Sequence, residues 1–169
     1  MTDLCFVDSN VFVYARDPRD PAKQQRARQW RDHLWTQRLG RTSAQVLSET
    51  YVALRRLGGA APDEIWNSVA RLVAWRPQAI DEKVILHARE AELRWRLSWW
   101  DSLIVAAAQM QNCSVLLAED LHDGAAFGNL VVRSPFTLAV EQTPAAYDVM
   151  PQLASLHRPR GRPRRTALA

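Results

Sequence analysis

An unbroken apolar run at residues 4–7 stops at Asp8, and a second apolar segment at 11–15 follows at once. A stretch apolar on both faces suits a buried strand of a parallel sheet. The pattern predicts a strand that turns into a helix, with Asp8 at the strand's C-terminal end. Asp20-Pro21 reads as an N-cap followed by proline at the first helical position. That helix is expected to reach about Leu39, with Ala27, Trp30 and Leu34 inward and Gly40 stopping it. Residues 41–43 read as a short strand. Ser43 then caps a helix at 44–57 whose inner stripe is Val46, Leu47, Thr50, Ala53, Leu54 and Leu57, ended by Gly58-Gly59. A helix opening at Pro62 turns Ile65, Val69, Leu72 and Val73 inward, and residues 78–80 read as another short strand. Asp81-Glu82 starts a helix to about Leu97 with Val84, Ala88, Ala91 and Trp95 on one face. Ser98 caps a helix at 99–111, apolar on every side from 103 to 108 and therefore enclosed by the fold. Residues 113–118 and 130–132 read as buried strands. Strands alternating with helices predict an α/β architecture: three layers, α/β/α, around a central, mainly parallel sheet of four to five strands.

Length and composition agree with this picture and change it in one place. A chain of 169 residues is long enough for one domain with a genuine core, and its 47% hydrophobic and 24% charged residues are ordinary for a globular protein. No apolar run approaches the roughly 20 residues of a membrane helix. Asp3 and the absence of an early basic stretch argue against a secretory signal. Cys5 and Cys113 sit in apolar strand-like runs and read as free buried thiols, which fits a cytoplasmic setting. The formal net charge of +4 is unevenly spread: Arg158, Arg160, Arg162, Arg164 and Arg165 all lie near the C-terminus, and the other 17 basic residues face 18 acidic ones. The body is thus close to neutral and carries a cationic tail. From about Thr143 the periodic signal weakens. The expected organisation is a domain at 1–140, an extension at 141–156, and an Arg/Pro/Gly-rich tail at 157–169 that would not fold alone.

Five acids carry the candidate chemistry. Asp8 ends a strand and can also cap the next helix. Glu49 lies beside the inner stripe of its helix, where a glutamate taken alone is more often a surface residue. Asp101 is in a first helical turn, which favours an anion in any case. Asp120 and Asp123 stand in a loop of turn-forming residues, where aspartate is common. In a parallel sheet, however, strand C-termini and the N-termini of the following helices share one edge, the edge at which ligands of open α/β sheets bind. Asp8, Glu49, Asp101 and Asp120 can all converge there. Carboxylates brought close repel unless a cation joins them, and a hard, oxygen-rich site suits Mg²⁺ or Mn²⁺. Such ions bridge to phosphates and activate water. The chemistry points to phosphodiesters and leaves the polymer open.

Four stretches, in order, resemble the motifs of the PIN-domain family: Asp8-Ser9-Asn10 after its strand, Ser43 to Glu49, Leu97 to Ala108 with Asp101 at its centre, and Leu117 to Gly124 followed by Asn129 to Phe136. The likeness covers about Thr2 to Phe136 and lies nearest the VapC-type toxins of bacterial toxin–antitoxin pairs. It implies a PIN-like fold and a Mg²⁺- or Mn²⁺-dependent endoribonuclease that hydrolyses RNA phosphodiester bonds with metal-activated water. By analogy Asp8, Glu49 and Asp101 fall on the family's first three acids. Either Asp120 or Asp123 supplies the fourth, with Asp120 favoured. Here Gly124 replaces a usual phenylalanine, and Ala118 replaces a usual threonine. Asp8 and Asp101 would hold metal directly, Glu49 and Asp120 would orient metal waters or a second ion, and Ser9 would help hold a phosphate. The likeness further implies a homodimer and a small antitoxin, which would place a helix or extended segment in a groove between the helices at 21–39 and 44–57.

Two other readings stand beside that one. The chain could be a PIN-fold nuclease without a toxin role, acting on DNA or structured RNA, or a nucleic-acid-binding regulator whose site is vestigial. The second draws on the tail, in which Pro-Arg-Gly-Arg-Pro resembles an AT-hook. Arg158, Arg160 and Arg162 would then contact the minor groove of DNA. A polycationic segment that binds any nucleic acid is the alternative for the same residues.

Overall fold

A computed structural model describes residues 3–138 and 140 of the chain. The first apolar run forms β1 (Cys5–Val7). It pairs in parallel with β2 (Gly40–Arg41) on one side and β3 (Val115–Leu117) on the other, with Phe6 opposite Arg41 and Leu116. Next to β3 runs β5 (Leu130–Arg133), again parallel, and the far edge is β4 (Ala126–Phe127), the one antiparallel member among the described strands. The order is therefore β2-β1-β3-β5-β4. Phe6, Val7, Leu116, Leu117 and Val132 are fully buried, as strands covered on both faces require.

Among the described residues six α-helices accompany the sheet: α1 (Ser9–Tyr14), α2 (Pro21–Gln37), α3 (Ala44–Leu57), α4 (Pro62–Arg71), α5 (Glu82–Trp95) and α6 (Trp99–Met110). Most start where capping chemistry says they should. The side chains of Asp20, Ser43, Asp81 and Ser98 accept backbone N–H groups of Lys23, Val46, Val84 and Asp101, satisfying donors that the first helical turn leaves unpaired. The expected inner faces are buried: Ala27, Trp30 and Leu34 on α2; Val46, Thr50 and Leu54 on α3; Val84, Ala88 and Ala91 on α5. Helix α6 is enclosed. Ile104, Val105, Ala107 and Ala108 join the strands in the main core, while Leu103 and Ala106 pack with Val84 and Ala88 of α5.

The structure departs from the sequence reading at four places. Helix α2 ends at Gln37 because Arg38 adopts a left-handed conformation with φ of 57°. Gly40 belongs to β2, where a Cβ would lie 2.5 Å from the ring of Trp75. That glycine is needed for clearance, not to stop the helix. Beyond Arg71 the helix tightens into a 3-10 turn (Leu72–Trp75), and the change of pitch buries Trp75 and leaves Val73 59% exposed, where an inward side chain was expected. The segment at 78–80 forms only a single parallel bridge, Ser43 to Gln78, held by Ala44 N–H to the Gln78 carbonyl and Gln78 N–H to the Thr42 carbonyl, both 2.9 Å. Finally, β4 was not anticipated, although Gly128-Asn129 is a two-residue hairpin signal and Gly128 has φ of 65°. None of the helices among the described residues is long and apolar enough to cross a membrane. The extension at 141–156 and the tail with Arg158, Arg160 and Arg162 lie outside the described residues.

Candidate active site

Strand β1 ends on Asp8, whose backbone N–H donates to the Leu117 carbonyl at 3.0 Å and so continues the pairing with β3. This fixes the carboxylate at the C-terminal edge of the sheet. The residue is fully buried. Its Oδ1 accepts the Ser9 N–H at 2.7 Å, so Asp8 also caps α1, as its place between a strand and a helix predicts. Ser9 then turns its hydroxyl outward from the same point. The Oγ donates to Glu49 Oε2 at 3.0 Å and lies 3.5 Å from Asp8 Oδ1. One hydroxyl therefore links two acids, Asp8 and Glu49, that lie on different elements.

Glu49 is held from the other side by its own helix. Gln45, one turn earlier on α3, donates through Nε2 to Glu49 Oε1 at 2.8 Å, and the same amide reaches the Trp100 carbonyl at 3.4 Å. Trp100 precedes Asp101 in the first turn of α6. Asp101 is fully buried as well. Ser98 and Asp101 serve each other: the Asp101 N–H donates to Ser98 Oγ at 3.2 Å, and the Ser98 hydroxyl donates to Asp101 Oδ2. The first bond is that of a capping box; the second differs from it, because Asp101 accepts the Ser98 hydroxyl and not the Ser98 backbone N–H. A chain of contacts thus runs Asp8, Ser9, Glu49, Gln45, Trp100, Asp101. The sequence had singled out Ser9 and the capping role of Ser98. It missed Gln45, although an amide four residues before a glutamate is a recognisable helical pair.

The two loop acids fall differently. Asp120 is exposed on the stretch leaving β3, at the edge that carries Asp8. Asp123 is turned toward the end of β5. Its Oδ1 accepts the Ser134 N–H at 3.0 Å, its Oδ2 accepts the Thr137 hydroxyl at 3.4 Å, and Arg133 lies 3.8 Å away. Asp123 therefore fastens its loop to the 134–137 turn.

Taken as donors, the assembled side chains are carboxylate oxygens, the hard ligands that Mg²⁺ and Mn²⁺ prefer. An ionised carboxylate is expensive to bury unless hydrogen bonds or a cation compensate it, and two such groups lie buried at this edge. Their arrangement is more open than a closed cage, however. Among the described residues no group of three or more His, Cys, Asp and Glu side chains is placed to hold a metal ion as it stands. The Ser9 and Ser98 hydroxyls and the Gln45 amide each donate to one carboxylate oxygen of the group, on Glu49 and Asp101. This is compatible with Mg²⁺, which dehydrates reluctantly and is commonly bound through one or two carboxylates with several waters.

A family model for the PIN domain matches residues 5–122, most of the chain. The chain belongs to the PIN-domain family. Among solved structures, a toxin–antitoxin complex from Klebsiella pneumoniae is similar at a TM-score of 0.55 and 15% identity, covering 78% of this chain and 97% of that one. Mycobacterium tuberculosis VapC20, described as a sarcin–ricin loop cleaving toxin, is similar at 0.53 and 20% identity, covering 69% and 89%. At such identities the likeness establishes the shared PIN fold. No curated protein sequence matches the chain.

Proposed function

We propose that this PIN domain is a Mg²⁺- or Mn²⁺-dependent endoribonuclease and the toxin of a toxin–antitoxin pair. The observation that carries the reading is the pair of fully buried carboxylates, Asp8 and Asp101, at the C-terminal edge of a parallel sheet, with Glu49 joined to Asp8 through Ser9. Support for the toxin role comes from the two solved PIN folds, one described as a toxin–antitoxin complex and the other as a toxin that cleaves the sarcin–ricin loop. In this reading residues 1–140 form the nuclease domain, and the chain acts in the cytoplasm, where its two cysteines stay reduced.

Asp8 and Asp101 would hold the ion. Glu49 and Asp120 would orient its waters, and Asp123, committed to the 134–137 turn, is left out of the set. When bound, the ion supplies water activation and charge stabilisation on the phosphate. The chain's own part is orientation. Ser98 and Ser9 fix the rotamers of Asp101 and Glu49, the Asp8 backbone is locked to β3, and burial limits the mobility of Asp8 and Asp101. A groove of about 360 Å³ between the helices, lined by Phe12, Arg31 and Trp35 among others, would take a segment of the antitoxin.

The test uses purified protein and mixed RNA. Cleavage should require Mg²⁺ or Mn²⁺, stop with EDTA, and fall at least about 100-fold in Asp101→Asn, the scale of removing a group that stabilises transition-state charge. RNA cutting that survives both EDTA and Asp101→Asn overturns the reading. Cutting confined to DNA would move the protein to the second reading, a nuclease without this toxin chemistry.

A further inference from the structure

Lys23 lies on the first turn of α2, and a lysine on a helix surface is ordinarily solvated. The structure puts it to another use. Its ammonium pairs with Glu119, on the stretch that leaves β3, and donates to the Tyr14 hydroxyl at 3.3 Å. It also stands 4.6 Å from the centroid of the Tyr14 ring and 4.9 Å from that of Phe136, within reach of a cation–π attraction. The two rings meet edge to face at 5.1 Å. Four segments meet at one charge: the end of α1, the start of α2, the exit of β3 and the turn after β5. The pair is only about a third exposed, 31% for the Lys23 side chain and 29% for Glu119, so water screens it less than an open surface pair. The Glu119 hydrogen bond also raises the lysine pKa above its ordinary value, so the ammonium keeps its charge throughout the physiological range.

Glu119 immediately precedes Asp120, and it lies two residues beyond Leu117, whose carbonyl accepts the Asp8 N–H. The clasp therefore acts on the short connection between a fixed strand and an exposed acid. We propose that Lys23 is a positioning residue: by holding Glu119 against Tyr14 and Phe136, it sets the β3 exit stretch so that Asp120 is presented to the edge bearing Asp8 and Asp101. The proposal rests on the nuclease reading for its consequence, since only there does the placement of Asp120 matter to a reaction. A direct phosphate contact by Lys23 would leave Glu119 as a competitor, and removing Glu119 would then help the substrate bind. A clasp predicts the opposite, because both partners are needed.

The experiment compares Lys23→Met, Glu119→Gln, their double variant and Lys23→Arg in the full chain. It uses two readouts: amide hydrogen exchange at Ala118 and Gly124, whose N–H groups donate to the Arg133 and Val132 carbonyls on either side of the stretch, without added metal, and steady-state cleavage of RNA with Mg²⁺ or Mn²⁺. Near-UV circular dichroism checks that each variant folds, and Glu119→Gln carries the test should Lys23→Met not fold. Each single variant should exchange faster at Ala118 and Gly124 and lose about 10- to 100-fold in kcat, the usual scale for a group that orients a ligating side chain, with little change in KM. The double variant should be no worse than either single one, since the two act as a unit, and Lys23→Arg should recover most of the loss. Wild-type exchange in Glu119→Gln overturns the clasp, as does a rise in KM alone in Lys23→Met. If the unmodified protein cuts no RNA with either ion, the nuclease reading fails separately, and the exchange readout still decides whether Lys23 holds the stretch.

Discussion

Replacing Ser98 with alanine tests the site at a point where stability and chemistry share one atom. Ser98 Oγ accepts the Asp101 N–H at 3.2 Å and donates to Asp101 Oδ2. Losing an N-cap hydroxyl costs about 1 kcal/mol. Losing a hydrogen bond to a charged group costs about 1.5–3 kcal/mol. Because Asp101 is fully buried, water does not freely replace the missing donor. The two losses arise from one hydroxyl and overlap, so Ser98→Ala should destabilise the fold by about 2–4 kcal/mol. At about 2–4 °C per kcal/mol for a domain of this size, the melting temperature should drop by roughly 4–16 °C. Urea unfolding followed by tryptophan fluorescence gives the free energy directly. Ser98→Thr keeps both functions of the hydroxyl and should stay within about 0.5 kcal/mol, the level of a neutral substitution. The cycle with Asp101→Asn separates the cap from the carboxylate contact, since the cap survives in Asp101→Asn. A Ser98→Ala protein within about 0.5 kcal/mol of the parent would show that the hydroxyl holds neither the helix nor the acid.

Further outcomes follow from the packing. Gly40→Ala would drive a methyl to 2.5 Å from the buried Trp75 ring, which is itself wedged against Phe12 at 5.5 Å and Trp35 at 6.2 Å; overpacking of this kind should cost about 1–3 kcal/mol, read as a lower urea midpoint with an unchanged slope, and an unchanged midpoint would mean that the ring moves freely. Burial pushes the Cys113 thiol up to about 12 and raises Cys5 well above its ordinary value of 9.0, so both should resist Ellman's reagent in the native state and react once unfolded in guanidinium. The sign for stability follows: above pH 9 the unfolded chain ionises these thiols while the folded one keeps them protonated, so stability should fall as pH rises from about 9 toward 12, and the fall should shrink in Cys5→Ala/Cys113→Ala.

Much of the fold was legible from local signals. Helix α3 runs over the residues that its cap Ser43 and terminal Gly58 delimit, and α6 is enclosed along the stretch that is apolar on every side. Both signals act within a turn or two of chain, so spacing alone records them. The placement of Asp8 was legible for the same reason, since an apolar run that stops at an acid puts that acid at a strand end. The 3-10 turn at 72–75 was not, because helical periodicity continues smoothly through Leu72 and Val73, and what selects the tighter pitch is burial of Trp75 beneath Gly40.

The site divides along the same line. The sequence by itself determined which acids could meet, through strand ends and first helical turns that share one edge of a parallel sheet. Only the tertiary structure decided how they are held: Ser9 reaches Glu49 across 40 residues, Lys23 reaches Glu119 across 96, and Asp123 turns away to Ser134. Those pairings depend on how each helix docks on the sheet to within an ångström or so, because hydrogen bonds weaken steeply with distance and angle. A hydrophobic pattern specifies the buried face of an element. It carries no information on which polar side chain across the fold will meet the other face.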